Sequence, residues 1–119
     1  MTFDVRMTPQ SEDDLRGIYE YIAFHLRAPM NAARQLDSLE TSILSLESLP
    51  ERYQRYSEAP WSNRNLRIMP VRNYLVFYIP TAVPENGQDE TGAVTIVRVM
   101  YGGQDVQEQL TRFTVYRNG

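Results

Sequence analysis

One run constrains this chain more than any other: "YLVFYI", residues 74–79, six apolar positions in succession, all branched or aromatic. A strand with one wet face alternates in character, whereas an unbroken run of this kind belongs to a strand covered on both faces. "AVTIVRVMY", residues 93–101, has the same character and is interrupted by Arg98. A fold that contains these two strands must bring elements to both sides of them. It must also give Arg98 a carboxylate or a route to water, because an unpaired buried guanidinium is too costly.

The rest of the chain supplies those elements. "TFDVRM", residues 2–7, alternates, with Phe3, Val5 and Met7 on one side, and reads as a half-buried strand. Thr8 followed by Pro9 is a helix start, and Glu12, Asp13 and Asp14 suit the positive end of the helix dipole. Leu15, Ile18, Tyr19, Ile22 and Leu26 then form one helical stripe, ended by "RAPM" at 27–30. A second stripe, Ala32, Leu36, Leu39, Ile43 and Leu46, runs to Pro50. Two amphipathic helices with so short a break form an antiparallel hairpin. Residues 50–63 are a polar and aromatic connection, loop or short helical turn. "RNLRIMP", 64–70, reads as a strand with Leu66 and Ile68 inward and Arg67 opposite. Residues 80–92 are a polar hairpin loop, Gly102 and Gly103 end the last long strand, and Asp105 caps a short helix through Leu110 and Phe113. The order is β-α-α-β-β-β-α. Helices segregated from consecutive strands give an α+β class, a helical hairpin packed on a small, mostly antiparallel sheet. At 119 residues this is one domain, residues 1–113, with a tail at 114–119.

Composition excludes several chemistries. Cysteine is absent, which removes disulfides, thiolate metal sites and thiol nucleophiles and fits a cytoplasmic location. "MTFDVRMTPQ" lacks a basic region followed by an apolar run and is not expected to be a secretory signal, and no run approaches the ~18 apolar residues of a membrane span. The net charge is −3 and the isoelectric point about 5.1, poor properties for gripping a nucleic-acid backbone. All twelve basic residues are arginine. Residues 1–60 hold ten acids against six arginines and residues 61–119 five against six, so the sheet region is locally basic. No metal-ligand spacing and no nucleophilic triad is present. The single histidine, His25, sits where an imidazolium complements a helix C-terminus rather than where a general base is needed.

In order and at this spacing, "DLRGIYEYIA", "A..LDSLETSILSLESLP" from Ala33, "LRIMPVRNYLVFY" and "VTIVRVMYGGQD...L" resemble the RelE/ParE superfamily of toxins from type II toxin–antitoxin pairs. The resemblance covers about residues 2–113. It implies a β-α-α-β-β-β architecture and a partner, a short antitoxin of the ribbon-helix-helix or a similar type. RelE-like members are ribosome-dependent mRNA endonucleases that use basic residues on the sheet. ParE-like members bind DNA gyrase and perform no chemistry of their own. Carried over position by position, Arg67, Arg72 and Arg98 would be the phosphate-binding groups of an endonuclease. After the last strand, however, the endonucleases carry arginine or lysine where this chain has Gly102 to Asp105, and Leu110 stands near their terminal tyrosine. "YGGQDVQEQL" is closer to the ParE-like "HGRRD...L" pattern with both arginines lost. Tyr116 and Arg117 lie further along without a matching spacing.

The resemblance therefore favours a ParE-like binding toxin. A RelE-like endonuclease and a non-toxic domain that retains antitoxin binding are the alternatives. No cofactor, no metal and no sequence-specific nucleic-acid binding is expected. Candidate contacts to target or antitoxin are Arg64, Arg67, Arg72, Arg98, Tyr101 and Trp61, on an arginine-bearing sheet surface acting as a docking plate. Two of these positions carry a structural reading as well. Arg98 can instead pair with a helix carboxylate such as Asp37 or Glu20. Trp61, with Tyr53 and Tyr56 interleaved among Arg52 and Arg55, can instead belong to a loop folded over the core.

Overall fold

The computed structural model describes residues 2–82, 92–103 and 105–114. Most of the loop read at 80–92, with Glu85, Asp89 and Glu90, lies outside the described residues, as do Gln104, Tyr116 and Arg117. The element order is the expected one: β1 (Phe3–Met7), α1 (Pro9–Glu20), α2 (Pro29–Leu44), β2 (Arg67–Val71), β3 (Tyr74–Thr81), β4 (Gly92–Tyr101) and α3 (Val106–Phe113). The strands lie in the order β1-β4-β3-β2. The β2/β3 and β3/β4 pairs are antiparallel and β1 joins β4 in parallel. The parallel pairing follows from the connection, since the helical hairpin and two further strands intervene between β1 and its neighbour.

Thr8 starts α1 with its side-chain oxygen, which accepts from the Ser11 amide at 3.1 Å, and Pro9 occupies the first turn. The helix continues as a π-helical turn, Tyr21–His25, closed by the Leu26 amide on the Tyr21 carbonyl at 3.0 Å. The wider turn shifts the phase of the stripe. Ile22 and Ala23 go inward, and Leu26, expected on the buried stripe, is turned out to 54% exposure. In the second helical stripe Ala32, Leu39, Ile43 and Leu46 are buried as the spacing requires.

Both faces of the sheet are covered, as the central run demands. On one side Leu39, Ile43 and Leu46 pack on Met69, Val76, Tyr78, Val94, Ile96 and Val99. On the other, Trp61, Leu66, Phe77, Ile79, Val97, Met100 and Leu110 form a second cluster, with Tyr56 and Val106 against it. The undecided connection resolves into short 3₁₀ turns, Pro50–Arg52 and Trp61–Arg64. It folds back along β2, where the Tyr56 amide donates to the Leu66 carbonyl at 2.8 Å and the Ile68 amide to the Gln54 carbonyl at 3.0 Å. Those bonds occupy the outer edge of β2, which would otherwise be a template for foreign strands.

Candidate functional site

The arginines of the sheet separate sharply in their surroundings. Arg98, 8% exposed, is locked internally. Its Nε and Nη2 donate to Asp14 Oδ2 and Oδ1 at 2.6 and 3.0 Å, and its Nη1 reaches the Phe113 carbonyl at 3.3 Å and Thr114 Oγ1 at 3.2 Å. Of the readings open to it, the internal ion pair is the one present, with Asp14 rather than Asp37 or Glu20 as partner. Its guanidinium is paired rather than free, on the lining of a groove between the helical hairpin and the ends of β3 and β4.

The geometry has a backbone cause. β1 ends at the Met7–Ile96 pair, which leaves β4 bare from Val97 onward on that edge. Thr8 and Asp14 fill the gap: the Thr8 amide donates to the Ile96 carbonyl at 3.2 Å, its hydroxyl to the Val97 carbonyl at 3.2 Å, and Asp14 Oδ2 accepts the Val99 amide at 2.9 Å. A register shift between Phe77 and Tyr78 inserts Val97 into the ladder at the same place, as a bulge that re-aims Arg98. Asp14, read from the sequence as a helix-start charge, is therefore the bracket between α1 and β4. The one sequence signal for it was the demand of Arg98 for an acidic partner.

Arg67 is likewise committed inward. Its Nη1 donates to the carbonyls of Glu51 and Tyr53 at 2.9 and 2.8 Å, holding the start of the connection against β2. Tyr78, paired with Arg67 across the ladder, donates to the Pro50 carbonyl at 2.6 Å. Burial pushes the Tyr78 phenol up to about 12, against the opposing influence of Arg67 and Arg52. Trp61 is 3% exposed and belongs to the second core cluster, with the Arg64 guanidinium 5.1 Å from its ring centre. Of the two readings open to Trp61, a contact to a partner and a loop folded over the core, the second is the one present. The arginine-bearing sheet surface as a docking plate is corrected for the same reason: α3 and the connection cover it.

Arg72 and Tyr101 remain outward. Arg72 is exposed at the β2–β3 turn with φ of 55°. Tyr101 ends β4, exposed, with its ring edge-on to Tyr74 at 6.0 Å. Arg67, Arg72 and Arg98 thus do not converge on one phosphate-sized site.

Two open grooves flank the helical hairpin instead, and the sequence reading named neither. The first, about 610 Å³, is mainly apolar and runs between α1, α2 and β1, lined by Val5, Met7, Leu15, Tyr19, Leu36 and Ile43. The second, about 660 Å³, lies between the other flank of the hairpin and the ends of β3 and β4, lined by Tyr21, Leu26, Gln35, Tyr74 and Tyr101 among others. Each is of a size that holds side chains of a partner. Concavity arises from the packing of distant segments, so periodicity along the chain could not announce it. Among the described residues no group of histidine, aspartate and glutamate is arranged to hold a metal ion, and no helix is long and apolar enough to cross a membrane.

A small α+β domain with grooves on both flanks of its helical hairpin and with Arg67 and Arg98 of its sheet tied down internally has the make-up of a protein-binding module. The family is settled by comparison. Residues 5–106 match the family described as the ParE toxin of the type II toxin–antitoxin system parDE, and the chain belongs to that family. The sequence matches no curated protein. Among solved structures the fold is similar to one titled "Chromosomal ParDE TA system from P. aeruginosa", with a TM-score of 0.63 at 16% identity over 84% of this chain and 96% of that one.

Proposed function

We propose that this ParE-type toxin acts in the cytoplasm, arrests growth by binding DNA gyrase, and is silenced by a short cognate antitoxin of the ribbon-helix-helix or a similar type. The observation that carries the binding reading is the fate of the guanidiniums. An endonuclease of the RelE type needs cations free to neutralise a phosphorane-like transition state. Here Arg98 is committed to Asp14 and Arg67 to two backbone carbonyls. Arg72, Arg64 and Tyr101 are the sequence candidates left to contact a partner.

The antitoxin suits the first groove. An amphipathic helix buries aliphatic side chains against Val5, Leu15, Leu36 and Ile43, while the outer edge of β1, beside the groove, offers backbone groups to an added strand.

Expression of the chain from a tight promoter, without its partner, tests the reading. DNA synthesis is expected to stall with a damage response while translation continues. Arrest of translation with mRNA cut within codons would identify an endonuclease instead, and normal growth would identify a non-toxic antitoxin-binding domain. Purified chain is expected to inhibit supercoiling by gyrase and to leave ribosome-bound mRNA intact.

A further inference from the structure

The second groove has features that the fold itself does not require. Gly17 stands in the middle of α1, where glycine weakens a helix, and a Cβ built there meets nothing within 4 Å. Among the described residues no close approach demands the glycine. What the missing side chain does is widen the groove that Gly17 lines.

On the same lining, Gln35 Oε1 is buried and has no hydrogen-bond partner among the described residues. An unpaired buried acceptor is unfavourable until a donor reaches it. Asp13, also on the lining, holds an exposed pair with Arg16 at 3.0 Å, a contact weak enough to exchange. Asp14 and Arg98 both line the groove and hold each other, so that pair brings no net charge to it. Three tyrosines, Tyr21, Tyr74 and Tyr101, line one wall. They lie close enough together that Tyr101 and Tyr21 add to burial in raising the Tyr74 phenol above its ordinary range. Leu26 on the lining, with Phe24 and Met30 in the same stretch of chain, leaves large apolar side chains in water.

The unpaired group is an acceptor, the exchangeable charge is negative, and the walls are tyrosine rings with electron-rich faces. A guanidinium satisfies all three. Its N–H groups donate to an amide oxygen or to a carboxylate, and its plane stacks on tyrosine. Carboxylates do neither. The exposed Leu26, with Ile18 and Met100 also on the lining, calls for aliphatic neighbours beside that cation.

We infer that the groove between α1 and the ends of β3 and β4 receives an arginine, flanked by aliphatic residues, from a segment of a protein partner. The inference rests on the proposed function only in taking the partner to be a protein. It adds the chemistry of the anchor and assigns Gly17 as the residue that keeps the groove open.

The test uses the purified full chain and three peptides, acetyl-Leu-Leu-Arg-Leu-Leu-amide and its versions with glutamate or glutamine in place of arginine. Binding is followed by NMR of the tyrosine rings. The arginine peptide is expected to move the resonances of Tyr21, Tyr74 and Tyr101 saturably and at least tenfold more tightly than the glutamate peptide. Gly17→Leu is expected to melt at or above the wild-type temperature and to lose that binding by tenfold or more. Gly17→Ala, which adds the smallest side chain, is the second variant if Gly17→Leu folds poorly, with an intermediate loss expected.

Equal or stronger binding of the glutamate peptide would overturn the inference. So would binding that survives both substitutions, or no binding at all. Growth arrest is scored separately: arrest by the wild-type chain without peptide binding sinks the groove and leaves the toxin reading standing. Peptide binding by a chain that arrests nothing does the reverse.

Discussion

Arg67 and Arg72 are close in sequence and opposite in consequence. Arg67 ties two carbonyls of the connection to β2, so Arg67→Ala is expected to lower stability by about 1–3 kcal/mol in urea titration. Arg72 sits at φ of 55°, a conformation that glycine adopts without strain. Arg72→Gly is expected to be neutral or stabilising by up to about 1 kcal/mol while removing the outward charge. Loss of stability in the second and not the first would reverse the assignment. Tyr78 gives a pH signature. Its neutral phenol is favoured in the folded chain by burial, which raises it from 10.0 to about 12. The folded state therefore holds the proton more tightly than the unfolded state. The associated stability is fully present below about pH 10 and is lost as pH rises through about 12. The loss should reach roughly 2 kcal/mol. Denaturant melts across that window should slope downward in the wild type and less steeply in Tyr78→Phe. Some slope should remain in the variant, because Tyr56 and Tyr74 are raised too, both chiefly by burial.

At the scale of elements, the order of strands and helices was legible because period 3.6 and period 2 are local properties. Of the stripe Ala32, Leu36, Leu39, Ile43 and Leu46 all but the half-buried Leu36 are buried, and of the run 74–79 Val76 to Ile79 are buried and Tyr74 and Leu75 half-buried. What joins the elements was not legible. The partner of Arg98 lies 84 residues away, and it is chosen by where β1 stops and by the bulge at Val97, neither of which leaves a pattern in the sequence. The π turn that exposes Leu26 is of the same kind, a change of helical phase set by tertiary packing, whereas the fold-back that buries Trp61 was one of two readings the sequence left open. The bracket between α1 and β4 is open to measurement. Asp14→Ala removes the partner of a buried guanidinium and the acceptor of the Val99 amide, and is expected to cost about 3–5 kcal/mol. Asp14→Leu combined with Arg98→Met replaces the pair by apolar contact and leaves only the Val99 amide unmatched. The double variant should therefore be more stable than Asp14→Ala, with a residual deficit of about 1–3 kcal/mol. A double variant as weak as the single one would place the stability in the amide contact rather than in the ion pair.

At the scale of the whole molecule, charge and shape bear on the choice between a toxin that grips RNA and one that grips protein. The chain carries a net charge of −3 on a body of 51 × 28 × 23 Å. Of the arginines on its sheet, Arg98 is neutralised by Asp14 and Arg67 is tied to two backbone carbonyls. Affinity for a polyanion grows with the number of phosphates neutralised, and each contact contributes only while its cation is free. On the sheet this leaves Arg72 at its turn and Arg6 on β1, the latter beside Asp4 at 3.7 Å, too few for several phosphate contacts at one surface. The apolar first groove, by contrast, gains its affinity from area removed from water, which salt does not screen. The purified chain should therefore pass through immobilised heparin at about 0.15 M salt, where charge effects extend only ~8 Å. Its complex with the antitoxin should weaken little between that salt concentration and one several times higher. Retention on heparin, together with a complex that dissociates steeply in salt, would mean that the free cations are more numerous than the internal bonds of Arg67 and Arg98 allow, and would return the phosphate-gripping reading to first place.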